Sequence, residues 1–130
     1  MSNYAIIVAI ENYHNNSQLH DVDYAINDAK AIKSCLLKIG YNENDITFLI
    51  NEYATHASIV EKITQLSNYA QDSDVIFFYY AGHGLFCDGK NFITCVDTSL
   101  SSIESTSINL YEILASYEKS KSKQIMLFLD

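Results

Sequence analysis

The 130-residue sequence contains no arginine, no proline and no tryptophan, and it has only four glycines and three cysteines. Its 16 acidic residues face eight lysines, which gives a formal charge of −8. A nucleic-acid-binding surface needs clustered lysine and arginine side chains. The composition therefore argues against a protein that binds nucleic acid.

The sequence also lacks paired cysteine motifs and long hydrophobic runs. Cys35, Cys87 and Cys95 show no CxxC spacing, which argues against a disulfide framework or a zinc site and favours a reducing compartment. The first apolar run, residues 4–10, is short and has no positively charged segment before it, so it predicts neither a signal peptide nor a membrane span. We therefore expect a cytoplasmic protein with no membrane partner.

Four short apolar runs, rich in β-branched and aromatic residues, predict buried strands of a parallel sheet. They read YAIIVAI, ITFLI, VIFFYYA and IMLFL, at residues 4–10, 46–50, 75–81 and 125–129. Helical spacing predicts helices over 24–39, 56–70 and 107–117, with a hairpin or short strand at 92–96. This alternation predicts an α/β fold, a three-layer α/β/α sandwich with a mostly parallel sheet.

The helical patterns also predict which side chains face the sheet. The inward-facing residues should be Ala25, Ala29, Ile32, Leu36 and Ile39 in the first helix, Ile59, Ile63 and Leu66 in the second, and Leu110, Leu114 and Tyr117 in the third. Thr55 is the candidate N-cap of the second helix. Because free cysteine is often buried, we expect Cys35, on the inner face of the first helix, and Cys95 to be structural thiols.

Two polar residues follow predicted strands at the edge where α/β proteins collect functional groups. His83 stands between Gly82 and Gly84 after the third strand, and Asp130 follows the last one. We expect the glycines to adopt positive φ and to let a substrate chain approach. His83 is then a candidate general base or acid, and a solvent-exposed turn histidine is the alternative. Cys87, four residues further on, is not expected to face the imidazole.

Four segments together resemble the caspase-like cysteine peptidases, in particular metacaspases and their bacterial relatives. They read YAIIVAIENY, LHDVDYAINDAKAIKSCLLKIGY, FFYYAGHG and IMLFLD, and they span nearly the whole chain. The resemblance implies the caspase-hemoglobinase fold. Residues 1–130 would be the N-terminal, large-subunit-like part of its catalytic domain, truncated just before the expected nucleophile, because an apolar strand at the end still needs backbone partners.

The resemblance also implies the chemistry. It implies a cysteine endopeptidase in which His83 pairs with a cysteine two positions after Asp130, so that this chain alone is inactive and the remaining catalytic segment of the same protein is its partner. The Gly84 N–H is a candidate oxyanion donor. Asp28 and Asp130 match acids with which metacaspase-like members bind lysine or arginine, which implies peptide or protein substrates cleaved after a basic residue. The alternative role for Asp28 is structural: a negative charge in the first turn of a helix is favoured by the helix macrodipole.

Four further points stay open: calcium dependence, a regulatory role and two alternatives to a peptidase. Some relatives need calcium, and Asp88 and Asp97 lie roughly where its ligands would be, although both could be turn residues; no other metal site is expected. Bacterial relatives imply a regulated effector, with a role in defence, inside a larger protein. The same fold could instead serve as a catalytically dead scaffold. A receiver- or flavodoxin-like domain is the third reading, but it leaves the GHG segment unexplained and would need more than Glu11 after the first strand.

Overall fold

The computed structural model describes residues 2–14, 18–120 and 124–129. The helices are α1 (Ala25–Lys38), α2 (His56–Tyr69), α3 (Ile103–Thr106) and α4 (Leu110–Glu118). The strands are β1 (Asn3–Ala9), β2 (Ile46–Ile50), β3 (Val75–Ala81), β4 (Gly84–Cys87), β5 (Lys90–Ile93), β6 (Ile108–Asn109) and β7 (Gln124–Leu129). None of the helices in these ranges combines the length and the apolar composition that a bilayer span requires.

The main sheet is built from the four predicted apolar runs. All its strand pairs are parallel, in the order β2–β1–β3–β7. Strands β4, β5 and β6 form a second, antiparallel sheet. The strand predicted at 92–96 lies earlier, at 90–93, because Asp88 and Gly89 both have positive φ and close a two-residue turn between β4 and β5.

Helices cover both faces of the main sheet. On β1, Ile6 and Val8 belong to the core that α2 and α4 complete, whereas Ala5 and Ile7 belong to the core beneath α1. Successive strand residues point to opposite faces, so a strand buried on both sides is apolar throughout. The predicted three-layer α/β/α sandwich is therefore confirmed.

Helices α1 and α2 begin and end close to their predicted positions. The Thr55 side chain caps α2 by accepting from the Ser58 N–H at 3.2 Å. Two predictions for α1 are wrong: Ile39 is 72% exposed, and Cys35 is exposed as well. The helix ends at Lys38, so Ile39 lies beyond its last turn. Cys35 precedes the buried Leu36 by one residue, which turns it about 100° away from the core.

The third predicted helix begins later than expected. Residues 108–109 form β6, and α4 starts at Leu110, where the Asn109 side chain accepts from the Tyr111 N–H at 2.9 Å. This cap fixes a register in which Ile113 and Tyr117 are buried. Leu114 is 37% exposed, so its predicted inward position is wrong.

Tyr117 gives a stability prediction. Its hydroxyl is buried and has no hydrogen-bond partner among the described residues. A buried polar group without a partner costs about 1–3 kcal/mol, so Tyr117→Phe should raise the free energy of unfolding by about 1 kcal/mol in urea denaturation of the complete protein. Tyr80→Phe is the matched control and should lower it, because the Tyr80 hydroxyl is hydrogen-bonded to Thr94. A clear loss of stability in Tyr117→Phe would contradict the prediction.

Candidate active site

Hydrogen bonds join the carboxyl ends of three parallel strands. The Ile10 N–H, just after β1, donates to the Ala81 carbonyl at the end of β3, at 3.0 Å. The Asn51 side-chain oxygen, just after β2, accepts from the N–H groups of Glu11 and Asn12 at 2.9 and 3.2 Å. The loops that follow β1, β2 and β3 are therefore tied into one edge.

His83 lies at this edge and is held through both of its backbone groups. Its N–H donates to the Tyr13 hydroxyl at 2.8 Å. Its carbonyl accepts from the Tyr80 hydroxyl and from the Thr94 hydroxyl, both at 2.9 Å. Tyr13, Tyr80 and Thr94 are all buried, so little water competes for these bonds. His83 is thus fixed from three separate parts of the chain.

The imidazole of His83 is oriented by the loop that follows β1. Its Nε2 lies 2.7 Å from the His20 carbonyl oxygen. Because a carbonyl can only accept, Nε2 carries the proton, which leaves Nδ1 of the neutral ring as a proton acceptor. The Tyr13 ring packs beside the imidazole, with ring centroids 5.3 Å apart. This arrangement suits a general base that works through Nδ1.

The hydroxyl groups around His83 form a buried cluster that the sequence analysis missed. The Thr94 Oγ1 lies 2.7 Å from the Tyr13 hydroxyl and 2.9 Å from the Tyr80 hydroxyl. Burial, reinforced by the neighbouring Tyr13, raises the pKa of Tyr80 well above its usual value, so this phenol stays protonated. Tyr80 is the last tyrosine of the predicted buried strand β3, and a buried tyrosine usually needs a partner for its hydroxyl group; this was the signal available in the sequence.

The two glycines beside His83 do not have the predicted positive φ, which occurs instead at Gly40 and Gly89. Gly82 is required by space: an added Cβ would lie 2.6 Å from the Tyr80 hydroxyl oxygen and 2.8 Å from that of Tyr13. The absent side chain therefore makes room for the hydroxyl cluster. The expectation of positive φ at these glycines is wrong. Gly82 is explained instead by its close contact with the hydroxyl groups of Tyr80 and Tyr13.

Gly84 presents its amide to the outside of the hairpin. It begins β4, an edge strand of the small sheet, opposite Ile93 of β5. The Thr94 N–H donates to the His83 carbonyl at 3.2 Å, so Gly84 and Ile93 form a non-hydrogen-bonded pair of the antiparallel ladder. In such a pair the Gly84 N–H points away from β5. It is therefore directed to where a ligand oxygen could accept.

An open groove of about 450 Å³ lies beside this amide. Its lining includes Gly82, Gly84 and Phe92, with Phe86 at 73% exposure, and it reaches Leu129 at the end of β7. The groove therefore extends from the His83 segment to the carboxyl end of β7. The groove is mostly apolar and accessible, as a site for part of an extended peptide should be.

Of the two acidic residues predicted to bind substrate, the structure describes Asp28 but not Asp130. Asp28 is exposed on the first turn of α1, shortly after the loop whose His20 contacts His83. Glu11 accepts from the Ile26 N–H at 2.8 Å and so already satisfies an amide at the start of α1. The Asp28 carboxylate is exposed, and the amide that Glu11 satisfies does not depend on it. Asp130 lies outside the described residues.

None of the three cysteines of the sequence is placed to act with His83. Cys95 is buried, and this burial, with Asp97 adding to it, raises the pKa of its thiol to about 12, so the thiol stays protonated at neutral pH. Cys35 lies exposed on α1. Cys87 ends β4, and three strand steps separate it from Gly84 by about 10 Å.

The two acids considered for calcium have local structural roles. Asp88 occupies the positive-φ turn between β4 and β5, and the Asp97 carboxylate accepts from the His56 N–H at 3.0 Å, at the start of α2. Calcium takes six to eight oxygen ligands. Within the described part of the chain, no three His, Cys, Asp or Glu side chains gather into a candidate metal site. Asp88 and Asp97 do not form a calcium centre with the described residues, and calcium dependence stays an untested alternative to the expectation of no cofactor.

Comparison with known proteins identifies the family. Residues 2–130 match the family model of the caspase domain, Peptidase_C14, and the chain belongs to this family. Metacaspase-7 of Arabidopsis thaliana is 30% identical over 90 residues, which cover 65% of this chain and 22% of the plant protein. The crystal structure of protein GSU0716 from Geobacter sulfurreducens has the same fold, with a TM-score of 0.81 at 16% identity, over 100% of this chain and 50% of that one.

Membership of the caspase family settles two points. It assigns the chain to a family of the cysteine-peptidase type. It also makes the receiver- or flavodoxin-like reading wrong, although the strand order alone is compatible with both folds. The chain spans 22% of the plant metacaspase and 50% of the Geobacter protein. These matches therefore do not establish the activity of the complete protein.

Proposed function

We propose that this chain is the histidine-bearing part of a cysteine endopeptidase domain. The observation that carries the proposal is the bond between the His83 Nε2 and the His20 carbonyl, which leaves Nδ1 as a base at the carboxyl edge of the sheet. The thiol would come from the segment after Asp130, in the same protein. The end of β7 beside the groove supports this, because a residue shortly beyond it would lie near His83.

The proposed reaction needs three groups. The His83 Nδ1 takes the proton of the thiol, and the thiolate attacks the peptide carbonyl carbon to form a tetrahedral intermediate, which becomes the acyl-enzyme when the C–N bond breaks and the amine leaves. The Gly84 N–H, directed away from β5, stabilises the oxyanion of the tetrahedral intermediate. His83 then gives its proton to the leaving amine, and water attacks the thioester with His83 again acting as base.

We further propose that the enzyme cleaves after arginine or lysine. Asp28 and Asp130 would bind the basic side chain by charge-assisted hydrogen bonds, which arginine can make in pairs. The exposure of Asp28 on the first turn of α1, while Glu11 satisfies the nearby amide, supports a role beyond capping. We place this enzyme in the cytoplasm of a bacterium, as a regulated effector within a larger protein.

Substrate specificity gives a direct test. In a panel of otherwise identical peptides, the complete protein should cleave after Arg or Lys about 100-fold more efficiently than after Asp, since a carboxylate pocket repels Asp. Asp28→Asn should remove most of this preference while keeping the size of the side chain. Asp21→Asn is the matched control, an exposed acid of the same segment, and should change little. Preference for Asp, or full retention of basic specificity in Asp28→Asn, would contradict the assignment.

The alternative is a catalytically dead scaffold, and the three cysteines of this sequence are compatible with it as well as with a peptidase whose thiol follows Asp130. It makes a distinct prediction, because a scaffold needs no cysteine two positions after Asp130. The complete protein should be treated with a peptide that alkylates active-site thiols and then analysed by mass spectrometry. A single adduct at that cysteine supports the peptidase, and an unlabelled protein supports the scaffold.

A further inference from the structure

We propose that Tyr13 and Thr94 are positioning residues that hold the His83 imidazole through a closed ring of hydrogen bonds. The proposal rests on the proposed function, in which His83 is the base. Neither residue is expected to touch a substrate. They act on His83 through its backbone, and Tyr13 also packs against its ring.

The direction of each hydrogen bond follows from the groups involved. The His83 N–H can only donate, so the Tyr13 oxygen at 2.8 Å accepts and must use its own proton elsewhere. Thr94 Oγ1, at 2.7 Å, is the nearest acceptor for that proton. The Thr94 hydroxyl then donates to the His83 carbonyl at 2.9 Å. The bonds form a ring that starts and ends on His83.

Tyr80 completes the surroundings without breaking this ring. Its oxygen accepts from the Thr94 N–H at 3.2 Å, and its one proton can be donated to the Thr94 carbonyl or shared with the His83 carbonyl, since both carbonyl oxygens lie 2.9 Å from the Tyr80 hydroxyl oxygen. All three hydroxyl groups can therefore be satisfied at the same time with one orientation of the ring. Buried hydrogen bonds that run in one direction polarise and strengthen each other. The peptide groups on both sides of the His83 Cα are thus fixed.

Fixing the backbone of His83 matters because its imidazole must also stay in place to bond the His20 carbonyl. The Nε2 reaches the His20 carbonyl at 2.7 Å, and Tyr13 belongs to the same connection after β1 as His20. A small rotation of the His83 peptide would lengthen that bond and release the tautomer that leaves Nδ1 free. In enzymes a misplacement of about 1 Å can lower the rate about 100-fold. The ring of hydrogen bonds therefore controls both the orientation of the His83 imidazole and which of its nitrogen atoms carries the proton.

The test compares hydroxyl deletions in the complete protein. Tyr13→Phe and Thr94→Val should each lower kcat about 10- to 100-fold with little change in KM, because they misplace the base without touching substrate. Thr94→Ser keeps the hydroxyl and should restore most of kcat. Tyr117→Phe is the matched control: it deletes a buried hydroxyl without a partner among the described residues and should keep wild-type kcat.

A second measurement reports on His83 without any need for catalysis. Nitrogen NMR should show an imidazole protonated at Nε2 in the wild type and in Tyr117→Phe, and a mixture of tautomers in Tyr13→Phe and Thr94→Val. Wild-type kcat in a folded Tyr13→Phe protein would overturn the proposal, as would a Thr94→Ser variant as slow as Thr94→Val. If the wild type cleaves no peptide, the proposed function fails, and the tautomers alone decide: a change in Tyr13→Phe supports the positioning ring, and an unchanged imidazole overturns it.

Discussion

Replacing His83 by alanine in the complete protein should lower kcat about 1,000-fold or more, with little loss of stability. The imidazole is the proposed proton acceptor for the thiol and the proton donor for the leaving amine, and alanine supplies neither. Because the His83 side chain is only partly buried, its removal should leave the fold intact. The measurements are kcat and KM with a peptide substrate, together with the thermal unfolding midpoint.

Two further variants separate the loss of the base from general damage. His83→Gln keeps a polar group that can reach the His20 carbonyl, but it cannot accept a proton, so it should be as slow as His83→Ala. His56→Ala removes a partly buried histidine from the first turn of α2 and should retain wild-type kcat. Substantial activity in folded His83→Gln protein would refute the role of His83 as base.

The parallel sheet and two of the helices could be predicted because their signals are local. Every residue of β1 from Ala5 onward is buried on one face or the other, so the strand has an uninterrupted apolar run. Thr55 marked the start of α2 correctly by its type and position. The start of α4 could not be predicted in the same way, since the choice between Ser107 and Leu110 as its first residue depended on β6 pairing with β5.

The candidate site shows the same division between local and long-range information. The position of His83 at a strand end follows from the chain order, because parallel strands bring their carboxyl ends to one edge. The hydroxyl ring cannot be predicted from the chain order, since Tyr13 and Thr94 are 81 positions apart. Neither helical nor strand periodicity relates residues so far apart in sequence. The need for glycine at position 82 could not be predicted either, because it depends on the Tyr13 hydroxyl, which comes from a distant segment, and on the side-chain position of Tyr80.

Gly82→Ala should be the most destabilising single-methyl change near the site, with a loss of about 2–3 kcal/mol in the free energy of unfolding. The added Cβ would lie 2.6 Å from the Tyr80 hydroxyl oxygen, which cannot retreat without losing bonds to Thr94 and His83. Urea denaturation measures the loss. Gly84→Ala is the matched control, since its Cβ would meet only the Phe92 carbonyl, at 3.7 Å, and should change stability by about 0.5 kcal/mol or less.

The origin of that loss can be tested by removing the atom that clashes. If the Tyr80 hydroxyl is what the new methyl group meets, the double variant Gly82→Ala/Tyr80→Phe should be about 1 kcal/mol more stable than the sum of the two single changes predicts. Part of the clash remains in the double variant, because the Tyr13 hydroxyl would still lie 2.8 Å from the Cβ. Strict additivity would mean that Gly82 is required for another reason than space for the tyrosines. Positive coupling would tie the glycine before His83 to the hydroxyl groups that hold it.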